Sequence, residues 1–322
     1  MKCILKKFSK NKFKDKFRDN FKDKYFLLLF CFFLSLLILF FTSKNSPLYP
    51  FNNWLDENAF YTVGISWRHG ILPYLDLFEQ KGPLLYLIFM LSSWILPYSF
   101  LPIFLLEVVC YTWFLYFSGK VITLFLEKKY VYFILPLFAS LIAGSIFFSS
   151  GGSAEEFCLP ILMKMLYDLL YYFVKGSIRK KTLFWDGFFA GVMAMIKFTF
   201  LGFPFAFMMC LFFCFLFSRE YFKSLFSCVL FLLGMSIPVL GFCLYFYFHH
   251  GLDVFINTYF IFNIFGYTKK LPLLIRIEMI FLSFYKKLTT NVIVFHLIDL
   301  GMIYFLIRGK LSRKGKVSLI LF

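Results

Sequence analysis

The chain alternates between long apolar runs and short charged or turn-forming breaks. Tyr25–Phe41, Leu101–Leu126, Val131–Phe148, Phe157–Val174, Leu183–Phe217, Leu225–Phe248 and Asn291–Ile307 are predominantly apolar. Most approach the ~20 residues that an α-helix needs to cross a bilayer. The Leu183–Phe217 run is long enough for two helices and is broken at Lys197-Phe198-Thr199. Leu84–Leu96 is also apolar, but it is short and lies between Pro83 and Pro97. It is expected to lie along a membrane surface. The pattern predicts an all-α, polytopic transmembrane bundle of about 8 helices over 25–322, behind a basic 1–24 segment.

Between the first two long runs lies a polar island, NNWLDENAFYTVGISWRHGILPYLDLFEQKGPLLY (Asn53–Tyr86). It carries Asp56, Glu57, Asp76 and Glu79, four of only 17 acidic residues in a chain that is 61% apolar. Polar, irregular sequence between membrane-grade segments is where a polytopic protein keeps its chemistry.

Composition and charge sharpen this picture. With 52 Phe and 16% charged residues, the chain is too apolar for a soluble domain. The net charge of +17 is concentrated beside the apolar runs. The first 24 residues hold ten Lys/Arg against three Asp, with further basic runs at Lys175–Lys181 and Arg308–Lys316. Such clusters orient a membrane protein with its positive side in the cytoplasm, and they favour contact with membrane lipids over nucleic acid. No small-residue cleavage site follows the first apolar run, so it reads as an uncleaved spanning helix of a plasma-membrane protein with a cytoplasmic N-terminus. The eight Cys are scattered without a CxxC pair and read as apolar filler.

An interfacial Leu84–Leu96 places the strongest basic runs on one side and both acidic pairs, Asp56-Glu57 and Glu155-Glu156, on the other. External loops are then expected near 42–100, 149–156 and 249–290. Gly251–Leu288, with five Lys/Arg against two acids, is more basic than an external loop should be. The chain stops at Phe322 a few residues into another apolar run, which suggests a missing C-terminal part.

Asp56 and Glu57 suit a base at a bilayer boundary, where partial desolvation and nearby cations tune a carboxylate. They equally suit an acid pair favoured by a helix dipole. Lys81, ahead of Gly82-Pro83 and a helical run, suits an anion such as a phosphate, or an interfacial Lys with its stem in lipid. Glu155-Glu156 after Gly151-Gly152 could hold an acceptor or a cation, or simply begin a helix. Lys197 either caps a turn or meets a buried anion. His249-His250 has no third ligand in view, so no metal site is expected. Acids and bases on one face fit transfer chemistry on a lipid-linked phosphate; they also fit a lipid or polysaccharide transporter with polar gating loops.

LDENAFYTVG followed by PYLDLFEQKGPLLY, then SAEEFCLP, resembles the bacterial GT-C membrane glycosyltransferases. The closer likeness is to the protein mannosyltransferase-like group that includes the lipid A aminoarabinose transferases. DGFFAGVMAMIKFTFLGFPF is similar to their helix pair of glycine, small residues and Lys. The resemblance spans roughly residues 25 to 250. It implies an inverting enzyme that moves a sugar from a polyprenyl-phosphate carrier to an envelope acceptor on the outer face, with no metal or other cofactor. By the same resemblance Asp56 matches the family's catalytic base and Glu57 the acid beside it. Lys81 matches the Lys of a Lys-Pro-Pro-Leu-like motif that meets the carrier phosphate, with Gly82 in place of the first Pro. Glu155 and Glu156 fall where a second acidic motif is found, and Lys197 or Arg276 would assist Lys81 on the phosphate. The family usually continues through further helices, so an inactive fragment is the other reading.

Overall fold

A computed structural model describes residues 23–145, 148, 151–266, 272–290 and four positions between 300 and 307. The basic N-terminal residues before Asp23, the Arg308–Lys316 run and most of the Asn291–Ile307 run lie outside the described residues. Every named element among the described residues is helical. In chain order these are α1 (Asp23–Thr42), α2 (Leu55–Arg68), α3 (Pro83–Ile95), α4 (Leu101–Phe125), α5 (Val131–Ala143) and α6 (Ala154–Lys175). They are followed by α7 (Lys180–Lys197), α8 (Gly202–Phe217), α9 (Tyr221–Phe248), α10 (Leu252–Phe255, continued by π-type turns to Gly266) and α11 (Leu273–Thr290). Five stretches are long and apolar enough to cross a membrane: α1, α4, α6, the Lys180–Phe217 stretch and α9. That is the signature of a membrane protein.

Local sequence sets the boundaries. Ser153 caps α6 by accepting the Glu156 backbone N–H at 3.2 Å, and Gly176 closes the helix in the left-handed region at φ 74°. Gly82-Pro83 opens α3, whose 13 residues rise ~20 Å, short of a ~30 Å hydrocarbon core. The break at Lys197 is a 3-10 turn over Phe198–Leu201, held by Tyr259. Its hydroxyl donates to Ala194 O at 2.5 Å and accepts the Phe198 N–H at 2.9 Å. The 249–290 segment, expected as an external loop, is largely helical over its described residues. Its residues Leu252–Gly266 are apolar, and Phe255 and Tyr259 are buried against the bundle.

Contacts fix the helix directions. The Lys128–Asp23 ion pair (2.5 Å) and the Ser43 Oγ–Glu107 bond (2.7 Å) run α1 and α4 antiparallel. α6 follows α4 in parallel, since Gly152 meets Glu107 at one end while Lys120 lies 4.1 Å over the Tyr167 ring at the other. α7 returns antiparallel to α6, through Lys164–Asp186 and Lys197–Glu155. α7 and α9 are parallel and pack closely. A Cβ at Gly187 would strike Phe231 O, one at Gly191 Met235 O, and one at Gly234 Phe184 O. Small residues admit this approach of backbones.

The consequence is a bundle with two dissimilar ends. One gathers Asp23, Lys128, Lys129, Lys175, Arg179, Lys180 and Lys223. The other gathers the end of α1, the starts of α4 and α6, and the end of α7. One apolar core joins α2, α3 and α6–α9, and a second joins α1, α4 and α5.

Candidate functional site

α2 and α3 lie side by side in parallel. Phe60 packs on Tyr86 and Phe89 (ring centroids 6.3 and 5.8 Å), and Arg68 Nη1 donates to Ser93 O at 2.6 Å. A Cβ at Gly64 would meet the backbone of Phe89 and Met90 at 2.7 Å. The first turns of both helices therefore fall at the same end. Asp56 and Glu57 begin one, and Lys81 stands just before the other.

The two neighbouring acids point in different directions. Asp56 is exposed, whereas Glu57 has no exposure at all. Glu57 meets Glu107 and Glu156 (2% and 5% exposed), so three carboxyls from α2, α4 and α6 share one interior. Asn45 Nδ2 lies between two of them, 2.5 Å from Glu57 Oε1 and 2.6 Å from Glu107 Oε1. Asn52 Nδ2 donates to Glu57 Oε2 and to Asn45 Oδ1. Ser153 Oγ donates to Glu156 Oε1 at 3.1 Å, while Glu156 Oε2 has no hydrogen-bond partner. Burial, with the Glu107 carboxylate adding to it, pushes the Glu57 carboxyl up to about 9 despite the two amides that pull it down. Glu57 is thus protonated at neutral pH.

Gly151 and Gly152 close this interior at φ 113° and 68°. A Cβ on Gly152 would collide with the Glu57 carboxyl, and one on Gly151 with Ser43, Asn45 and Glu107. Only glycine satisfies both the backbone and the space here.

Beside this knot lies the basic half. The Lys81 backbone is clamped by two tyrosines: its N–H donates to Tyr86 Oη at 3.0 Å and its carbonyl accepts from Tyr74 Oη at 2.5 Å. Both phenols are buried, and burial holds their pKa values well above the ordinary value, so they stay neutral. The Gly82 N–H donates to Ile196 O at 3.0 Å, which docks Lys81 against the end of α7 and its last residue, Lys197. Asn263, beyond α10, donates to Gln80 O at 2.9 Å and braces the same loop. Lys197 Nζ pairs with Glu155, whereas half-buried Lys81 has no carboxylate at ion-pair distance among the described residues.

Of the residues singled out from sequence, Asp56, Glu57, Lys81, Glu155, Glu156 and Lys197 thus gather at one end. Arg276 does not join them by any contact among the described residues; it is exposed on α11. His249 is occupied locally, its Nδ1 2.8 Å from Tyr245 O. Among the described residues no group of three or more His, Cys, Asp or Glu side chains is placed to hold a metal ion.

Two features escaped the sequence reading. Glu107 interrupts LPIFLLEVVCYTW, and a carboxyl inside an apolar run is itself a signal. The same holds for Lys164, Asp168 and Asp186 on α6 and α7. Lys164 bridges both acids, 2.7 Å from Asp168 and bonded also to the fully buried Asp186.

No protein-family model, curated protein or solved structure matches this chain.

Proposed function

We propose that this protein is a membrane glycosyltransferase that takes a sugar from a polyprenyl-phosphate carrier and transfers it, with inversion, to a hydroxyl acceptor of the cell envelope. In this reading α2 and α3 lie on the outer surface of the plasma membrane and the N-terminus is cytoplasmic. The supporting observation is an exposed carboxylate, Asp56, and a cation without a carboxylate partner, Lys81, at the same end of one parallel helix pair.

Asp56 accepts the proton of the acceptor hydroxyl as its oxygen attacks the anomeric carbon. The bond from that carbon to the carrier phosphate breaks, and the phosphate leaves with the electron pair. Lys81 stands against the negative charge that develops there. Lys197 adds positive potential but is already paired with Glu155, so its part is to hold the α6 start against α7. Glu57, sealed among amides, sets the position of the α2 first turn and does not meet solvent. Removing a base of this kind costs about 10²–10⁴-fold in rate. In vesicles carrying polyprenyl-phosphate sugars, Asp56→Asn and Lys81→Met are expected to insert normally and to lose transfer. Full transfer by Asp56→Asn would sink the assignment.

A further inference from the structure

A groove of about 590 Å3 separates the ends of α2 and α3 from the second half of α9, well away from Lys81. Trp67, Leu87, Met90, Trp94, Phe242 and Tyr245 supply most of its wall. Arg68 and His249 stand at its rim, and no acidic side chain lines it. The floor runs along α9 from His249 to Pro238, which at 1.5 Å per residue is ~16 Å. Its corner is rigid, since the Trp67 indole donates to Tyr245 Oη at 2.8 Å and the Tyr245 ring lies 4.3 Å from that of His249.

The rim cation is the informative part. The Arg68 guanidinium donates to Ser93 O at 2.6 Å but has no carboxylate at ion-pair distance among the described residues. An Arg above an apolar slot, flanked by Trp and Tyr, matches a lipid with an anionic head and an extended hydrocarbon chain. We propose that this groove binds one anionic glycerophospholipid of the bilayer, its phosphate on Arg68 beside His249 and an acyl chain along α9 towards Pro238. The occupant differs from the sugar carrier. Arg68 follows Asp56 along α2 by a rise of ~18 Å, so a phosphate held near Lys81 cannot also sit at Arg68. The bound lipid would join the end of the α2–α3 pair to α9 beside the Trp67–Tyr245 bond.

The test is direct. Gly241 faces the groove, and a Cβ there meets nothing within 4 Å, so Gly241→Leu fills the slot without disturbing the helix packing. The full chain would be released for native mass spectrometry from nanodiscs containing equal dioleoyl-phosphatidylglycerol and dioleoyl-phosphatidylcholine. The expected result is one retained phosphatidylglycerol in preference to phosphatidylcholine. Retention should fall at least about tenfold, the factor equivalent to 1.4 kcal/mol, in both Gly241→Leu and Arg68→Gln. Equal retention of the two lipids, or an unchanged adduct in Gly241→Leu, would overturn the proposal. So would a polyprenyl phosphate, added as competitor, displacing the phosphatidylglycerol. None of these arms measures sugar transfer, so the result stands apart from the enzymatic reading.

Discussion

Asn45 Nδ2 stands 2.5 Å from Glu57 Oε1, a bond that ties the chain leaving α1 to the first turn of α2. The neighbouring Glu107 takes the same amide at 2.6 Å, so one side chain keeps two buried carboxyls apart. That arrangement makes stability depend on pH. The folded protein holds a proton on Glu57 up to about 9, whereas an unfolded chain gives it up near the ordinary 4.5. Folding therefore takes up a proton across this window, and stability falls as pH rises, by up to about 1.4 kcal/mol per unit. Glu57→Gln removes the titration, while its NH2 group meets the Asn45 or Asn52 amide donor at a cost that does not depend on pH. Thermal unfolding in detergent should show its advantage over the parent growing from pH 5 to pH 9; a constant difference would refute the protonated state.

Lys164→Met strands two acids. Asp186 has no exposure and relies on Lys164, and its Oδ2 already lacks a partner. Losing the only cation bonded to such a group among the described residues costs about 3–5 kcal/mol. The double variant Lys164→Met/Asp186→Leu should recover part of this, because the fully buried charge goes as well. Unfolding temperatures of the two variants measure the difference.

Gly187→Val tests the close approach of α7 and α9. The added Cβ would enter the space of Phe231 O, a backbone atom that cannot rotate away. Overpacking of this kind costs about 1–3 kcal/mol or more. The same change at Gly202, where a Cβ meets open space, should be much milder. Expression and unfolding of the pair give the comparison.

Tyr86→Phe removes the oxygen that accepts the Lys81 N–H. A backbone donor left unsatisfied costs about 1–3 kcal/mol. If Lys81 stands against the charge that develops on the carrier phosphate, the loosened loop should lower kcat more than it raises KM for the carrier. An effect on KM alone would argue against that role for Lys81.

Five of the expected spans were readable because membrane helices announce themselves through length and apolar composition; Val131–Phe148 is not among them, since its helix covers only Val131–Ala143. Glu107, Lys164 and Asp186 are single charges inside such runs, and their partners come from other helices, so spacing along the chain does not reveal them. The short α3 was legible from Pro83 and Pro97, which bracket it. Its parallel alignment with α2 was not, because that depends on Gly64 meeting Met90 across a loop. Asp56 and Glu57 looked equivalent as adjacent acids. Helical geometry separates them by about 100°, which leaves one in solvent and the other against Asn45 and Asn52. The helical Leu252–Gly266 stretch read as part of a loop because it follows the His249-His250-Gly251 break and is shorter than a span.

The α2–α3 pair is too short to span a bilayer, and its two starts are aligned by contacts that include Phe60, Tyr61, Gly64 and Arg68. Both starts are nevertheless tied to helices that cross: Asn45 joins Glu57 to Glu107 on α4, and Gly82 donates to Ile196 at the end of α7. A thicker or thinner bilayer would change the tilt of α4 and α7. The spacing between Asp56 and Lys81 would follow that tilt, so hydrocarbon depth reaches these two residues through α4 and α7.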